Sequence, residues 1–117
     1  MWWILILIVF DQITKYFLTT VTNTGAAFGI LKGFNIPLLI ISLVALIVAI
    51  YFYIKDKELK IPLIFLIAGI IGNSIDRIFF GYVRDFISIG FWPVFNLADS
   101  FNVIGVILLI IILWKKD

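Results

Sequence analysis

The side chains of this chain that could do chemistry are carboxylates and amides, and several stand within apolar stretches. Asp11 precedes Lys15 by four residues, and Asn73, Asp76 and Arg77 are spaced so that all three share one face of a helix. An ionisable group at the centre of a membrane span costs about 2.5–3.5 kcal/mol on insertion scales, so each is a candidate functional residue. The structural alternative is a simple ion pair, of Asp11 with Lys15, and of Asp76 with Arg77 or another neighbour.

Asp85 stands in a segment that alternates between apolar and polar residues. The alternation over residues 82–89 predicts a strand in which the Asp85 carboxylate lies on the same side as the apolar residues. Burying a carboxylate without a partner is unfavourable, so we expect a function for this one. An ion pair with Arg84 or Arg77 is the structural alternative.

Asn96 and Asp99 have the spacing of a helix N-terminus. Asn96 is predicted to be the N-cap and Asp99 the acid at the third helical position, as in a capping box. The structural alternative is that Asp99 only satisfies helix-end N–H groups. Asn102, three residues further on, adds a polar group to the same face.

The composition excludes much of hydrolase chemistry. With no His and no Cys, the chain has no Ser–His pair, no thiol nucleophile, no HExxH zinc site and no disulfide. The remaining route to amide hydrolysis is two carboxylates that share a proton, one activating water and the other donating to the oxyanion. Asp85 and Asp99 suit these roles, because apolar neighbours favour a protonated Asp85 and helix-start dipoles favour an ionised Asp99.

The elements that must position these groups are membrane helices. The 117 residues are 64% apolar and 14% charged, far from the roughly half apolar and quarter charged of soluble domains. Apolar stretches lie at about 2–19, 36–54, 61–79 and 97–114, each near the roughly 20 residues that span a bilayer. The sequence therefore predicts an all-α membrane protein with four transmembrane helices, as one domain over residues 1–117. Because Asp11 interrupts the first stretch, we interpret it as a retained span and not a signal peptide.

The charges between the stretches predict the topology. Most loop cations lie in residues 55–60 and 115–117, which fall on one side of the membrane. The positive-inside rule then puts both termini in the cytoplasm, with Trp2, Trp3 and Trp114 at the inner interface. The connections at about 20–35 and 80–96 are therefore extracytoplasmic and form a small β element. A net charge of +2 without a basic stripe does not suggest a nucleic-acid partner, and we expect none.

The polar blocks of the chain resemble those of the lipoprotein signal peptidase family, signal peptidase II. The blocks are DQITK (11–15), NTGAAFG (23–29), GNSIDR (72–77), GYVRDFI (81–87) and FNLADS (95–100). They occur in the family's order and run across nearly the whole chain. The resemblance implies an enzyme of the bacterial cytoplasmic membrane that removes signal peptides from prolipoproteins. In that family the cut precedes a Cys carrying diacylglycerol, and no metal or cofactor takes part.

The resemblance also implies roles for individual residues. The family's catalytic aspartates match Asp85 and Asp99. The positions that line the site or orient the substrate match Asp11, Lys15, Asn23, Gly25, Asn73, Asp76, Arg77 and Asn96. The family fold is four transmembrane helices with a small outer sheet and a short outer helix. We expect a monomer whose partners are the diacylglyceryl prolipoprotein and membrane lipid.

Two features depart from the family pattern. Only residues 16–22 separate Lys15 from Asn23, a shorter segment than is usual, so we expect the outer sheet to be reduced, or to be built mainly from residues 20–35 and 82–89. Arg84 stands where an apolar or small residue is common, and we interpret it as a local variation at the surface.

Two other classes of protein fit part of the sequence. A small proton-coupled transporter or channel needs one titratable acid facing a pathway, and Asp11 could serve. It would not need Asp85 and Asp99 on the outer side. An assembly or anchor protein could use polar residues to join helices, but here the polar residues are too many and too one-sided.

Overall fold

The computed structural model describes residues 1–25 and 33–116 and is mostly helical. The helices are α1 (Trp2–Leu18), α2 (Asn35–Lys55), α3 (Lys60–Phe79) and α4 (Leu97–Lys115), and the strands are β1 (Val21–Asn23) and β2 (Val83–Asp85). A 3-10 turn at Lys57–Leu59 joins α2 to α3. The four predicted helices are confirmed to within one residue at each end. Lys32, Asp117 and the last four residues of the NTGAAFG block lie outside the described residues.

Three helical stretches of the described chain are long and apolar enough to cross a membrane, namely Asn35–Lys55, Lys57–Phe79 and Leu97–Lys115. α1 has 17 residues and carries Asp11 and Lys15. At a rise of 1.5 Å per residue it is about 25 Å long, slightly less than the hydrocarbon core. Of the four predicted spans, three therefore have the required length and composition, and the first stays a prediction.

The packing of the helices centres on α3. The other three helices all pack against it, and it has more buried residues than any of them. Gly72 permits the approach of α1 and α4, since a Cβ there would lie 2.5 Å from Asp11 Oδ2 and 3.1 Å from Ala98 Cβ. Gly72, and the fully buried Ala68 one turn before it, therefore serve close helix packing.

The two ends of α3 have different surroundings. Near its start, Leu63 and Ile67 form an apolar core with Ala49 of α2 and Leu59 of the 3-10 turn. Near its end, the helix buries Asp76 completely among charged side chains. The polar residues are therefore gathered at one end of the helical bundle.

β1 and β2 form an antiparallel sheet at this polar end. Val21 pairs with Asp85, and Asn23 pairs with Val83. The strand predicted over residues 82–89 is thus shorter than expected, because β1 offers only three residues to pair with. The predicted alternation is right within β2, where Val83 and Asp85 are buried and Arg84 between them is not fully so.

The chain after β2 folds back on itself before α4. Ile87 and Phe95 form an isolated antiparallel bridge, and the Phe86 and Ile87 N–H groups both donate to the Phe95 carbonyl. This closed loop carries the chain directly from Asp85 to the start of α4. Two residues distant from each other in the sequence, Asp85 and Asp99, thereby reach the same region.

Candidate active site

A cavity of about 540 Å³ lies where α3 ends and α4 begins. The predicted site residues that line it are Asn23, Gly25, Asn73, Arg77, Asp85 and Asp99. Apolar residues form much of the remaining wall, among them Val83, Ile89, Trp92, Val103 and Ile104. A mostly apolar cavity with a few converging polar groups is the usual form of a ligand or active site.

Asp85 enters this cavity from the end of β2. The residue is 3% exposed, and its Oδ1 accepts a hydrogen bond of 2.8 Å from the Asn96 side chain. Burial, and after it the nearby Asp99 carboxylate, raises the pKa of Asp85 from 3.8 to about 7. Among the described residues, no salt bridge joins Asp85 to Arg84 or Arg77. Arg84 pairs with Asp76 instead. The ion-pair alternative for Asp85 is therefore wrong.

Asp99 lies in the first turn of α4, and its two carboxylate oxygens accept hydrogen bonds from different partners. Oδ2 accepts the Asn96 backbone N–H at 3.1 Å, while Asn96 Oδ1 accepts the Asp99 N–H at 2.8 Å. The predicted capping box is thus present. The second oxygen, Oδ1, accepts a hydrogen bond of 3.0 Å from the Asn73 side chain. Asp99 therefore caps its helix and also belongs to the polar group at the cavity.

Two amides connect the two carboxylates. The Asn73 side chain donates to Asp99, and its Oδ1 accepts from Asn96 Nδ2 at 3.1 Å. Asn96 Nδ2 in turn donates to Asp85. Lys15 Nζ also donates to Asn73 Oδ1, at 3.0 Å, which fixes the orientation of that amide because ammonium has no acceptor. Asp85 and Asp99 are therefore held in one directed hydrogen-bond chain.

Arg77 closes the cavity on the side of the first connection. Its guanidinium donates to the Gly25 carbonyl at 2.9 Å, and the Gly25 N–H donates to Asn23 Oδ1 at 2.9 Å. The Nε of Arg77 is buried and has no hydrogen-bond partner among the described residues. Arg77 is thus a cation at the cavity wall. Of the two structural alternatives for Asp76, the pair with Arg77 is wrong and a pair with another neighbour is right, since Asp76 pairs with Lys15 and Arg84.

The remaining predicted residues, Asp11, Lys15 and Asp76, form a buried cluster behind the cavity. All three are fully buried. Lys15 Nζ lies 2.8 Å from Asp11 Oδ2 and 3.3 Å from Asp76 Oδ2, and it donates to the Gly72 carbonyl. The second Asp11 oxygen accepts the Ala98 N–H at 2.9 Å, which ties α1 to the start of α4. The predicted ion pair of Asp11 with Lys15 is confirmed.

Two residues of this cluster were not predicted. Arg84 pairs with Asp76 at 2.9 Å, with its side chain only 13% exposed, so its interpretation as a surface variation is wrong. Gln12 donates to Asp76 and accepts from Arg84. Strand alternation already placed the Arg84 side chain on the opposite face of β2 from Asp85. Only the packing of β2 on α3 brings that side chain to Asp76. We call Asp11, Gln12, Lys15, Asp76 and Arg84 the ionic cluster.

The fold and the cavity together define a membrane protein in which two carboxylates line a largely apolar chamber, an arrangement that suits a membrane-embedded hydrolase. The family model described as Signal peptidase (SPase) II matches residues 16–115. The chain belongs to the signal peptidase II family, and it is accordingly a peptidase of the membrane. This membership does not favour the transporter or the anchor protein.

Curated relatives agree with the family model. A lipoprotein signal peptidase of Halothermothrix orenii is 44% identical over 105 residues, which cover 87% of this chain and 72% of that protein. One of Staphylococcus aureus is 39% identical over 135 aligned positions, covering 92% of this chain and 83% of that protein. Because 135 positions exceed the 117 residues of this chain, the S. aureus protein has additional residues within the matched region.

Solved structures give the same fold. One described as a bacterial membrane enzyme determined in meso at 2.3 Å has a TM-score of 0.89 and 36% identity, covering 97% of this chain and 86% of its own. A second, at 1.9 Å, has a TM-score of 0.85 and 37% identity, covering 98% and 92%. The four-helix arrangement with a small sheet is therefore shared with known membrane enzymes.

Proposed function

We propose that this signal peptidase, which removes signal peptides from prolipoproteins, is of the aspartic type and cuts with Asp85 and Asp99. The observation that carries the proposal is their joint position. Both carboxylates line one cavity, and Asn73 and Asn96 join them in a single hydrogen-bond chain. No His or Cys exists in the chain to provide another nucleophile or base.

The two carboxylates have the surroundings that their two roles require. With a pKa of about 7, a large fraction of Asp85 is protonated at neutral pH, and this form can donate its proton to the scissile carbonyl oxygen. Asp99 accepts two N–H donors, which stabilise its ionised form and suit it to take a proton from water. The water oxygen attacks the carbonyl carbon, and the amine then leaves with a proton returned by the pair.

The form of the cavity supports a lipid-modified substrate. Its wall beyond the aspartates is apolar, with Trp92, Val103 and Ile104 on it. Acyl chains gain about 0.8 kcal/mol per CH₂ removed from water, so such a wall favours a peptide that carries diacylglycerol. We therefore propose cleavage immediately before a diacylglyceryl Cys.

The proposed setting is the bacterial cytoplasmic membrane, crossed four times by a monomer with both termini in the cytoplasm. The basic residues at the end opposite the cavity support this orientation, since the cavity then faces outward. The absence of native Cys makes the test simple. A membrane-impermeant maleimide added to intact cells should label Phe91→Cys, which is then outside the cell, and should not label Lys57→Cys, which is then in the cytoplasm.

The decisive experiment compares two forms of one precursor. Purified protein in lipid should cleave a diacylglyceryl-modified prolipoprotein and leave the unmodified precursor nearly uncut. Asp85→Asn and Asp99→Asn should each abolish cleavage of the modified form. Asp56→Asn is the matched control, because Asp56 pairs with Lys116 at the other end of the protein.

Two results would contradict the proposal. Equal cleavage of both precursors would remove the lipid requirement. Undiminished cleavage by either the Asp85 or the Asp99 variant would remove the aspartic pair.

A further inference from the structure

Arg84 makes more contacts with Asp76 than an ordinary ion pair requires. Its backbone N–H donates to Asp76 Oδ2 at 3.0 Å, its Nε donates to the same oxygen at 3.2 Å, and its Nη2 donates to Oδ1 at 2.9 Å. The guanidinium therefore holds both carboxylate oxygens, which is the most directional form of a cation–carboxylate pair. Asp76 is fully buried in α3, so the partner of Arg84 is fixed.

These contacts bear directly on Asp85, the next residue in the chain. The Arg84 carbonyl accepts from Asn96 Nδ2 at 3.2 Å, the same group that donates to Asp85 Oδ1. On the other side of the sheet, β1 supports β2 over only three residues. Pairing over so few residues stabilises a strand only weakly. The contacts of Arg84 with Asp76 therefore contribute much of what holds Asp85 in place.

The charges around Asp76 also need Arg84. Asp11 and Asp76 share the single ammonium of Lys15, at 2.8 and 3.3 Å, within a fully buried setting. Arg84 supplies the second positive charge. Gln12 of α1 accepts a hydrogen bond of 2.8 Å from Arg84 Nη2 and so connects Arg84 to that helix. Without Arg84 the buried group would have two anions and one cation, which is unfavourable.

We propose that Arg84 is a positioning residue for catalysis, which holds β2 on α3 through Asp76 and so sets the place of the Asp85 carboxylate. This inference rests on the proposed function of Asp85. It goes beyond that function because Arg84 lies outside the cavity lining and acts only through its neighbours.

The test is a kinetic comparison of Arg84→Met and Arg84→Lys with the wild-type protein on the lipidated precursor. Arg84→Met should lower kcat about 30- to 100-fold and change KM less than threefold, since small misplacement of a reacting group costs rate and not binding. Arg84→Lys keeps the charge but not the two-pronged contact, so it should recover part of kcat. Lys60→Met is the matched control, since Lys60 is also half-buried and hydrogen-bonded, but at the far end of α3.

The outcomes separate this inference from the proposed function. A folded Arg84→Met protein with kcat within twofold of wild type, while Asp85→Asn is inactive, overturns the role of Arg84 alone. A rise in KM with unchanged kcat also overturns it, because Arg84 would then contact substrate. If Arg84→Met does not fold, Arg84→Lys decides: a kcat at least threefold lower with unchanged KM supports the inference, and a wild-type kcat overturns it.

Discussion

The cavity and the ionic cluster are adjacent, but their carboxylates have different partners. Asp85 and Asp99 face an open chamber and receive only N–H donors, without a salt bridge among the described residues. Asp11 and Asp76 lie in a closed setting, and cations contact both. The ion pairs of the cluster suit a structural role, whereas the carboxylates at the cavity, which have no ion pair among the described residues, suit the proposed acid–base role.

The two regions meet at Arg84, whose carbonyl accepts from Asn96 Nδ2, and at Asn73. Asn73 Oδ1 accepts from Lys15, a member of the ionic cluster, and its amide donates to Asp99 at the cavity. The cluster therefore orients the group that contacts the proposed base. Substitutions in the cavity should cost activity and not stability. Substitutions in the cluster should cost stability, and at Arg84 they should also cost activity because Asp85 is displaced.

The largest expected effect is on activity in the cavity. Asp85→Asn or Asp99→Asn should lower kcat about 10³-fold or more, because acid–base groups each contribute about 10²–10⁴ and the pair acts as a unit. Initial rates on the lipidated precursor measure this. Thermal unfolding in lipid should show that Asp85→Asn is at least as stable as the wild-type protein. A loss of activity explained by unfolding would erase the distinction between the two regions.

In the cluster, Lys15→Met should destabilise the protein by about 3–5 kcal/mol. The change leaves Asp11 and Asp76 buried with too few cations, and breaking a buried ion pair has this cost. Chemical unfolding in mild detergent measures the change. Lys60→Met should cost under about 1 kcal/mol, since Lys60 is half-buried and its ammonium contacts only the carbonyl and the ring of Tyr53 among the described residues, with no buried acid to neutralise. Equal losses in both variants would contradict the special role of the cluster.

Helix packing next to the cluster should show a smaller effect. Gly72→Ala should destabilise by about 1–3 kcal/mol, because the added Cβ would meet Asp11 Oδ2 at 2.5 Å. Ile61→Ala at an exposed position of the same helix serves as the control in the same unfolding assay. Unchanged stability of Gly72→Ala would show that α1 and α4 can move apart without cost.

The smallest expected effect is on the pH dependence of the cavity. Since the pKa of Asp85 is raised to about 7, its proton is lost as pH rises through 7, and kcat should fall about tenfold per unit above that point. A pH–rate profile of kcat measures this. A plateau extending beyond pH 9 would exclude Asp85 as the acid.

The same shift predicts how stability depends on pH. Folded Asp85 binds its proton more tightly than the unfolded chain, whose value is near 3.8, so stability should fall as pH rises from about 4 to 7. Asp85→Asn should remove that part of the decline. Unfolding free energies of both proteins at pH 5 and pH 8 check it.

Local features were predictable because they depend on neighbouring residues. The apolar stretches gave helix bounds to within one residue, the Asn96 spacing gave the capping box, and the i, i+4 spacing gave the pair of Asp11 with Lys15. The order of the polar blocks also indicated the family. Each of these signals is contained in a few consecutive residues or in their order along the chain.

The partners of the buried charges were not predictable in the same way. Asn73, Asp76 and Arg77 were assigned to one helical face, yet Asn73 and Arg77 line the cavity while Asp76 turns to the ionic cluster. A face of a helix spans enough of its circumference to meet two neighbours. Which neighbour each residue meets depends on the rotation of α3 against α1, α4 and β2.

The sequence by itself determined that this chain is a membrane peptidase of four helices with an acid–amide group at one end, because composition, spacing and motif order are local properties. Only the tertiary structure decided that Arg84 serves Asp76 and that Asn73 and Asn96 join Asp85 to Asp99. Contacts of this kind join residues far apart in the sequence, 72 positions between Arg84 and Gln12 and 87 between Ala98 and Asp11, and they exist only once helices and strands have packed. Packing, and not spacing, chose the partner of each buried charge.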